Sequence, residues 1–502
     1  MTSSSPSIVW FQNDLRLTDN PALSAAVRRK QPLICLYVWN PDGTGYGMPG
    51  AASRWWLHHS LQSFSDHLKA AGNDLTIRMG NTSEVLSNLV RDFPKAHVFW
   101  NQSCEPMNQK IERNFLNFLE AEKVEGHGFH GNTLVDPSTI LTQAHNPYRV
   151  FTPFWKRLQA TLSGSPPLPA PRSLPPPPSG TLNGVALDSL ELRPTIDWAQ
   201  GIHESWTPGE RGAQTALKNF LRTPATVYAM DRDRPDLPHT SRMSPHLHFG
   251  EMSPGKLWHS IQHAKQKNHK AQDRKSYDAY LRQIAWREFA RYLLFHFPYT
   301  VNKPLYANYQ AFPWRHETVS LRAWQRGLTG FPIVDAGMRE LWHTGWMHNR
   351  VRMITASFLT KDLLLPWQKG AAWFWDTLVD ADLANNTLGW QWVAGCGADA
   401  SPFFRIFNPI TQGITFDPDG RYVRKWVPEL ADLPSPWIHE PWEAPFLVLA
   451  EASITLGETY PQPMLDHAEA RNRALLAYRQ FKKGKRSPSS SSSTEQGKMA
   501  CL

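Results

Sequence analysis

A run of prolines near the middle of the chain constrains its folding more than any other feature. Residues 163–180 read SGSPPLPAPRSLPPPPSG, and eight of these eighteen residues are proline. Proline lacks a backbone N–H and has a nearly fixed φ, so this segment cannot form a helix or a central strand. We therefore predict a proline-rich linker over residues 133–205, with separately folded parts before and after it.

The part before the linker alternates between strand-like and helix-like segments. Residues 33–39 (LICLYVW) form a continuous apolar run, which is typical of a strand buried on both faces. Residues 20–28 begin with an asparagine followed by proline, which predicts a capped helix. The alternation predicts an α/β domain with a parallel sheet over residues 1–132. Further strands are predicted at 7–10, 74–79 and 96–100, and further helices at 53–71 and 82–91.

The part after the linker is mostly helical in its pattern. Long amphipathic stretches are separated by short breaks at glycine or proline, which predicts an all-helical domain over residues 206–478. The final residues, 479–502, include basic and serine-rich runs of low complexity and predict a disordered tail. The predicted helices are 213–221, 254–264, 277–296, 335–342 and 348–365.

Charge and cysteine content narrow the classes of function. The net charge is +9, which favours a polyanionic partner such as DNA or RNA. The four cysteines are far apart and form no CxxC pair, so we predict neither a disulfide framework nor a metal. Neither a signal peptide nor an apolar run of about 18 residues is visible, which predicts a cytoplasmic protein without a membrane span.

An unusual polar stretch lies inside the helical part. Residues 378–392 read LVDADLANNTLGWQW, with polar side chains in apolar surroundings. The predicted helix at 348–365 carries Arg352, which needs a carboxylate partner if it is buried, and Asp380 and Asp382 are the nearest candidates. Buried polar side chains are normally hydrogen-bonded. These residues therefore either satisfy one another or surround a flat, polar cofactor.

Seven longer segments form motifs that occur in a definite order. They are WFQNDLRLTDNPAL (10–23), PYRVFTPF (147–154), TSRMSPHLHFG (240–250), WREF (286–289), WMHNRVRMITASFLTKDLL (346–364), DADLANNTLGWQW (380–392) and RIFNPITQG (405–413). In this order they resemble the photolyase/cryptochrome family over nearly the whole chain. The resemblance implies an α/β domain of dinucleotide-binding topology and a helical domain that holds FAD.

The resemblance also implies which side chains contact FAD. It places the pyrophosphate against small hydroxyls near a helix start, which suit phosphate oxygens. It places Asn386 against flavin N5, where plant cryptochromes tend to carry aspartate, so Asn386 favours repair over signalling. The candidate FAD-binding residues are Tyr228, Thr240, Ser241, Arg242, Met243, Ser244, Arg352, Asp380, Asp382 and Asn386.

An electron-transfer chain and a lesion pocket follow from the same resemblance. Trp390, Trp367 and Trp314 match the tryptophans that reduce the photoexcited flavin from the protein surface. Trp286 and Trp392 match two aromatic walls that hold a flipped-out pyrimidine dimer by stacking. The remaining candidate lesion contacts are Gln283, Asn349, Arg350 and Met353.

Three of these contacts bear on the identity of the lesion. Photolyases for (6-4) photoproducts carry histidines where Asn349 and Met353 stand, which argues against that lesion. Gln283 replaces the glutamate that many dimer photolyases place against the lesion bases, and it keeps the hydrogen-bonding capacity but loses the charge.

The implied function is light-dependent repair of cyclobutane pyrimidine dimers in DNA by a monomeric photolyase. Two alternatives stay open: a cryptochrome-type blue-light photoreceptor, and a tryptophan-rich DNA-binding protein without a cofactor. An antenna, either methenyltetrahydrofolate or a deazaflavin, is compatible with the resemblance. Asn108 fits one folate-contacting position, whereas Gln109 stands where glutamate is common, and Val301 and Asn302 also differ from the family pattern.

Overall fold

The computed structural model describes residues 5–162, 164–179 and 182–484, and its first part is built on one parallel sheet. The strands of this sheet are β1 (Ser7–Phe11), β2 (Leu33–Trp39), β3 (Leu75–Met79), β4 (His97–Asn101) and β5 (Glu125–Phe129). Among the described residues their order is β3-β2-β1-β4-β5, and every neighbouring pair is parallel. The predicted α/β fold is confirmed.

Helices cover both faces of the sheet. Along β1, Val9 and Phe11 pack into one core while Ile8 and Trp10 pack into another, as expected for a strand buried on both sides. The helix predicted at 20–28 is present with its cap, because the side chain of Asn20 accepts a hydrogen bond from the Leu23 N–H at 3.1 Å. The four helices are α1 (Pro21–Arg28), α2 (Ala51–Ala70), α3 (Thr82–Asp92) and α4 (Pro106–Ala121).

The segment predicted as a linker is more ordered than its composition indicates. It contains two helices, α5 (Phe151–Thr161) and α6 (Gln200–Ser205). The described part of the proline-rich run has neither helix nor strand, as predicted, but it lies against the sheet. Pro176 O accepts from the Leu33 N–H at 3.0 Å, and the Leu174 N–H donates to Ala71 O at 2.8 Å. Proline carbonyls can still accept hydrogen bonds, which allows this docking.

The remaining part is helical, as predicted. The helix Asn349–Ser357 is capped by His348 and continues as a π-helical turn over Phe358–Asp362, so most of the predicted 348–365 helix forms. No helix among the described residues is long and apolar enough to cross a membrane. The helices are α7 (Glu210–Arg222), α8 (Pro224–Asp231), α9 (Ser244–His248), α10 (Pro254–Lys267), α11 (Ala271–His296), α12 (Thr318–Arg326), α13 (Pro332–Thr344), α14 (Asn349–Ser357), α15 (Trp367–Thr377), α16 (Leu383–Ala394), α17 (Pro409–Phe416), α18 (Arg421–Trp426), α19 (Phe446–Glu451) and α20 (His467–Gly484).

The predicted disordered tail at 479–502 is wrong at its beginning. Helix α20 continues to Gly484, because Tyr478 and Phe481 pack against the aromatic cluster around Phe312 and Phe403. Residues 485–502 lie outside the described residues.

Two of the sequence motifs meet where the sheet-containing part contacts the helical part. The Leu15 N–H donates to Phe249 O at 3.2 Å, and Arg16 Nη1 donates to Gly250 O at 2.9 Å. Gly250 has a φ of +66°, and a Cβ there would lie 2.0 Å from Asn13 O. Only glycine allows this approach, so motifs 10–23 and 240–250 share an interface.

Candidate functional site

The arginine–aspartate pair predicted from the sequence is present in the helical part. Arg352 of α14 donates through Nη2 to both carboxylate oxygens of Asp380, at 3.0 and 2.8 Å. Its Nε donates to Met347 O at 2.7 Å. The Asp380 side chain is almost completely buried. The pair therefore fixes the loop before α16 against α14.

Asp382, two residues further on, has a different partner that the sequence analysis missed. Its Oδ1 caps α16 by accepting from the Asn385 N–H at 2.9 Å, and its Oδ2 accepts from Arg291 Nη2 of α11 at 2.7 Å. Burial alone would raise the pKa of Asp382, but Arg291, His248 and Arg287 hold it well below its usual range. An arginine among the apolar residues at 289–294 was the available sequence signal.

The sheet-containing part also contributes charge to this ion pair. Glu105, in the loop after β4, is half-buried. Burial raises the pKa of Glu105 and the charge of Asp382 raises it further, while His248 and Arg291 act in the opposite direction. The start of α16 is thus surrounded by charged groups from both parts of the chain.

Asn386 lies one helical turn after Asp382. Its backbone N–H donates to Asp382 O at 2.8 Å, and its side-chain Nδ2 donates to Ala371 O of α15 at 3.0 Å. The residue is half-buried. Any shift of the α16 N-terminus therefore moves Asn386 as well.

The three predicted electron-transfer tryptophans belong to one hydrophobic core. Trp367 and Trp390 are each 2% exposed, and the partly buried Trp314 packs against the same core. The ring of Trp390 lies so close to α15 that a Cβ on Gly370 would come within 2.0 Å of it. The Trp390 ring also contacts Phe374, with 5.0 Å between ring centroids.

Two of the predicted phosphate-binding residues, Arg242 and Ser244, contact Trp346, which the sequence analysis did not single out as a site residue. Arg242 has a φ of +51°, and its guanidinium lies 4.0 Å from the ring of Trp206 and 5.1 Å from that of Trp346. Trp346 Nε1 donates to Ser244 Oγ at 3.2 Å, and its ring lies 5.8 Å from the Arg352 guanidinium. Trp346 thus joins segment 240–244 to the Arg352–Asp380 pair.

The other residues predicted around the pyrophosphate differ in accessibility. Ser241 accepts from Tyr280 Oη at 2.7 Å, and Tyr280 packs edge-to-face on the buried Tyr228. Thr240 is half-buried, whereas the side chain of Met243 is inside the core. A ligand beside this segment would therefore meet the backbone of Met243 and not its thioether.

One predicted lesion-stacking tryptophan already has a stacking partner. Trp286 of α11 lies parallel to Phe151 of α5, with 3.8 Å between ring centroids and 5° between planes. One of its faces is thus covered by Phe151. Leu388 of α16 packs into the same cluster, and the half-buried Trp392 follows it by one helical turn. Gln283, also half-buried, lies one turn before Trp286 on α11.

The predicted lesion contacts on α14 are held by neighbouring groups. Arg350 pairs with Asp233 at 2.9 Å, and its guanidinium lies 4.3 Å from the ring of Phe416. The exposed Asn349 approaches the sulfur of Met353 at 3.8 Å. Arg350 is therefore paired with a carboxylate in this structure.

The candidate antenna contacts do not converge on a shared group. Asn108 on α4 approaches Ser103 Oγ at 3.5 Å. Val301 packs with Tyr46 and Trp375, and Gln368 Nε2 approaches the Asn302 carbonyl at 3.5 Å.

Comparisons with known proteins agree with this architecture. Residues 7–173 match the family described as DNA photolyase, and residues 280–480 match the FAD binding domain of DNA photolyase. A deoxyribodipyrimidine photo-lyase from Agrobacterium fabrum is 46% identical over 95% of this chain and 98% of its own length. Cryptochrome-1 of Arabidopsis thaliana is 39% identical over 94% of this chain and 70% of its own length.

The similar solved structures are also photolyases and cryptochromes. A bacterial class III photolyase from Agrobacterium tumefaciens superimposes with a TM-score of 0.91, at 44% identity over 96% of this chain and 99% of its own. A Synechocystis cryptochrome superimposes with a TM-score of 0.85, at 29% identity over 94% of this chain and 99% of its own. The chain therefore resembles both photolyases and cryptochromes along almost its full length.

Proposed function

The chain belongs to the DNA photolyase family and carries that family's FAD-binding domain, and on this premise we propose that it repairs cyclobutane pyrimidine dimers in DNA in a light-dependent reaction. The observation that carries the proposal is the convergence of segment 240–244 and the Arg352–Asp380 pair on Trp346. The same helical part of the chain contains Asn386 and, in one hydrophobic core, the tryptophan series.

The residues around Trp346 fit a phosphate-bearing flavin cofactor. Arg242 Nε and His348 Nε2 are buried and lack hydrogen-bond partners among the described residues, and both side chains lie beside the Trp346 ring. Unpaired buried donors are costly, and a polar ligand with acceptor oxygens would satisfy them. The pKa of Arg242 is lowered because the guanidinium is buried, although Glu340 and Asp380 oppose this shift. A pyrophosphate would favour its charged form.

When bound and excited by light, reduced FAD would supply the electron that splits the cyclobutane ring. That electron would then return to the flavin, without net redox change. The protein's own residues would bind the cofactor and orient its flavin ring. We assign Arg242, Ser241 and Ser244 to the pyrophosphate. Asn386 offers an amide that can donate to or accept from the flavin ring, and its place is fixed by the capped start of α16.

The tryptophans would act as electron donors for the cofactor before repair begins. Indole is readily oxidised, and the three tryptophans belong to one core in which Trp390 and Trp367 are buried and Trp314 is half-exposed. Trp286 and Trp392 would hold the extruded dimer by stacking, which needs no sequence-specific readout. Because Phe151 covers one face of Trp286, only the opposite face is available to a base.

Light-dependent repair of a duplex oligonucleotide with a single thymine dimer tests the proposal. The FAD-loaded, reduced protein should split the dimer and restore the two thymines under blue light and not in the dark. It should leave a (6-4) photoproduct unrepaired. Trp392→Ala should weaken dark binding to the dimer duplex about tenfold or more, since stacking is worth roughly 1–3 kcal/mol per base. Its affinity for undamaged duplex should change little.

The exposed Trp342 provides the matched control for this binding measurement. Trp342→Ala removes an indole that is 62% exposed and should leave both affinities unchanged. Equal losses on damaged and undamaged DNA for Trp392→Ala would remove that residue from the pocket. Absence of repair by a light-responsive protein would instead favour a photoreceptor, the function that the 39% identity to Cryptochrome-1 keeps open.

A further inference from the structure

A group of metal-ligating side chains lies at the edge of the sheet, and none of its members has been assigned to the proposed repair function. His97 is the first residue of β4 and Glu125 is the first residue of β5, and the two are register partners. His127 follows Glu125 by two positions, so it projects from the same face of the strand. Regular strand pairing therefore brings two imidazoles and one carboxylate together.

The three side chains offer ligand atoms at the spacing of a coordination sphere. His97 Nδ1 lies 3.1 Å from Glu125 Oε2, and His127 Nε2 lies 3.5 Å from the same oxygen. All three ligand atoms lie within 4.8 Å of one another. Neighbouring ligands of a tetrahedral ion with bonds of about 2.0–2.1 Å are roughly 3.3 Å apart, which is close to the separations of Glu125 Oε2 from the two imidazole nitrogens.

We propose that His97, Glu125 and His127 bind a divalent transition-metal ion, with Zn²⁺ as the preferred occupant and water in the fourth position. Two imidazoles and one carboxylate form a ligand set that zinc uses in proteins. Mg²⁺ and Ca²⁺ prefer oxygen ligands alone. The site needs only the folded sheet and does not depend on the proposed repair activity.

Neighbouring charges act on this site in opposite directions. The carboxylate of Glu125 lies beside both imidazoles and attracts a cation. The charge of Arg29 opposes a cation, but Arg29 Nη1 donates to Ser7 Oγ at 2.9 Å, which holds the guanidinium against β1.

Metal binding here would stabilise β5, an edge strand of the sheet that contains two glycines. Within the described sheet β5 pairs only with β4. Its sequence EGHGF places Gly126 and Gly128 on the opposite face, where they contribute no side chain to the core. An ion shared by His97, Glu125 and His127 would join the first residues of the two strands.

Calorimetric titration of the chelator-treated, FAD-loaded protein with Zn²⁺ tests the proposal. The expected result is one equivalent of bound zinc that is lost in both His97→Gln and His127→Gln. His130→Gln is the matched control, because His130 lies just beyond β5 and pairs with one carboxylate, Asp136, at 3.3 Å. This control should keep the full equivalent. Flavin absorbance and far-UV circular dichroism identify any variant that fails to fold.

Anomalous diffraction at the zinc edge locates the ion independently of any variant. A peak between His97 Nδ1 and His127 Nε2 is the expected result. The proposal is overturned if the double variant His97→Gln/His127→Gln binds as much zinc as the unmodified protein. It is equally overturned if the peaks lie only at other histidines.

Discussion

Arg291→Met should destabilise this protein far more than loss of a surface ion pair would. Arg291 and Asp382 are 2.7 Å apart, and their side chains are only 7% and 8% exposed. Replacing the arginine leaves the Asp382 carboxylate buried without its main partner. Breaking a buried pair in this way costs about 3–5 kcal/mol.

Removal of both charges should cost less than removal of one. In Arg291→Met/Asp382→Asn no unpaired charge remains, and asparagine is still a good cap for the start of α16. We expect the double variant to be more stable than Arg291→Met by about 2 kcal/mol, because the penalty comes from the isolated carboxylate. Arg291→Met should also alter the flavin spectrum, since Asn386 lies one turn after Asp382.

Urea unfolding followed by far-UV circular dichroism measures these differences, once reversibility has been established. The matched control is Arg193→Met. Arg193 and Asp188 are 3.0 Å apart, but their side chains are 57% and 72% exposed. An exposed pair contributes about 0–1 kcal/mol. The reasoning is refuted if both arginine variants lose the same stability, or if the double variant is no more stable than Arg291→Met.

Three further variants test the site. Trp314→Phe should slow light-driven reduction of oxidised FAD, followed by flavin absorbance, while repair by pre-reduced protein continues; a wild-type rate of reduction would contradict the assigned series. Asn386→Asp should change which flavin redox state accumulates under illumination, whereas Asn88→Asp, at an exposed position of α3 beside Arg91, should not; identical spectra for Asn386→Asp and wild type would exclude Asn386 from the flavin. Gly370→Ala should lower the melting temperature, because its Cβ would lie 2.0 Å from the Trp390 ring. Gly389 has open space around it, so Gly389→Ala should raise the free energy of unfolding by up to about 1 kcal/mol through helix propensity. Equal effects of the two substitutions would contradict this packing.

Several features of the fold could be predicted because they depend on short stretches of chain. The run at 33–39 indicates a strand buried on both faces, and β2 occupies those residues. The cap of α1 requires only Asn20 and the following residues. By contrast, β5 carries glycines and too few apolar residues to be recognised, and it is a strand because β4 pairs with it.

The candidate site shows the same division. An aspartate partner for Arg352 was predictable, because an arginine that leaves water needs a carboxylate and Asp380 and Asp382 were the nearest candidates. The structure decides between them, since Arg352 pairs with Asp380. The roles of Asn386 and the tryptophans came from the order of the motifs and stay predictions. The stacking of Phe151 on Trp286 could not be predicted, because no local pattern relates α5 to α11.

The sequence by itself determined the two kinds of architecture, the family and the chemistry available at the site. The tertiary structure decided which distant groups meet: Arg291 with Asp382, Trp346 with segment 240–244, and the opening motif with Gly250. The physical reason is that the two kinds of interaction act over different distances along the chain. Propensity, caps and hydrophobic period act over a few residues, whereas an ion pair or a stacked ring forms only where the packing of whole helices brings its two halves together.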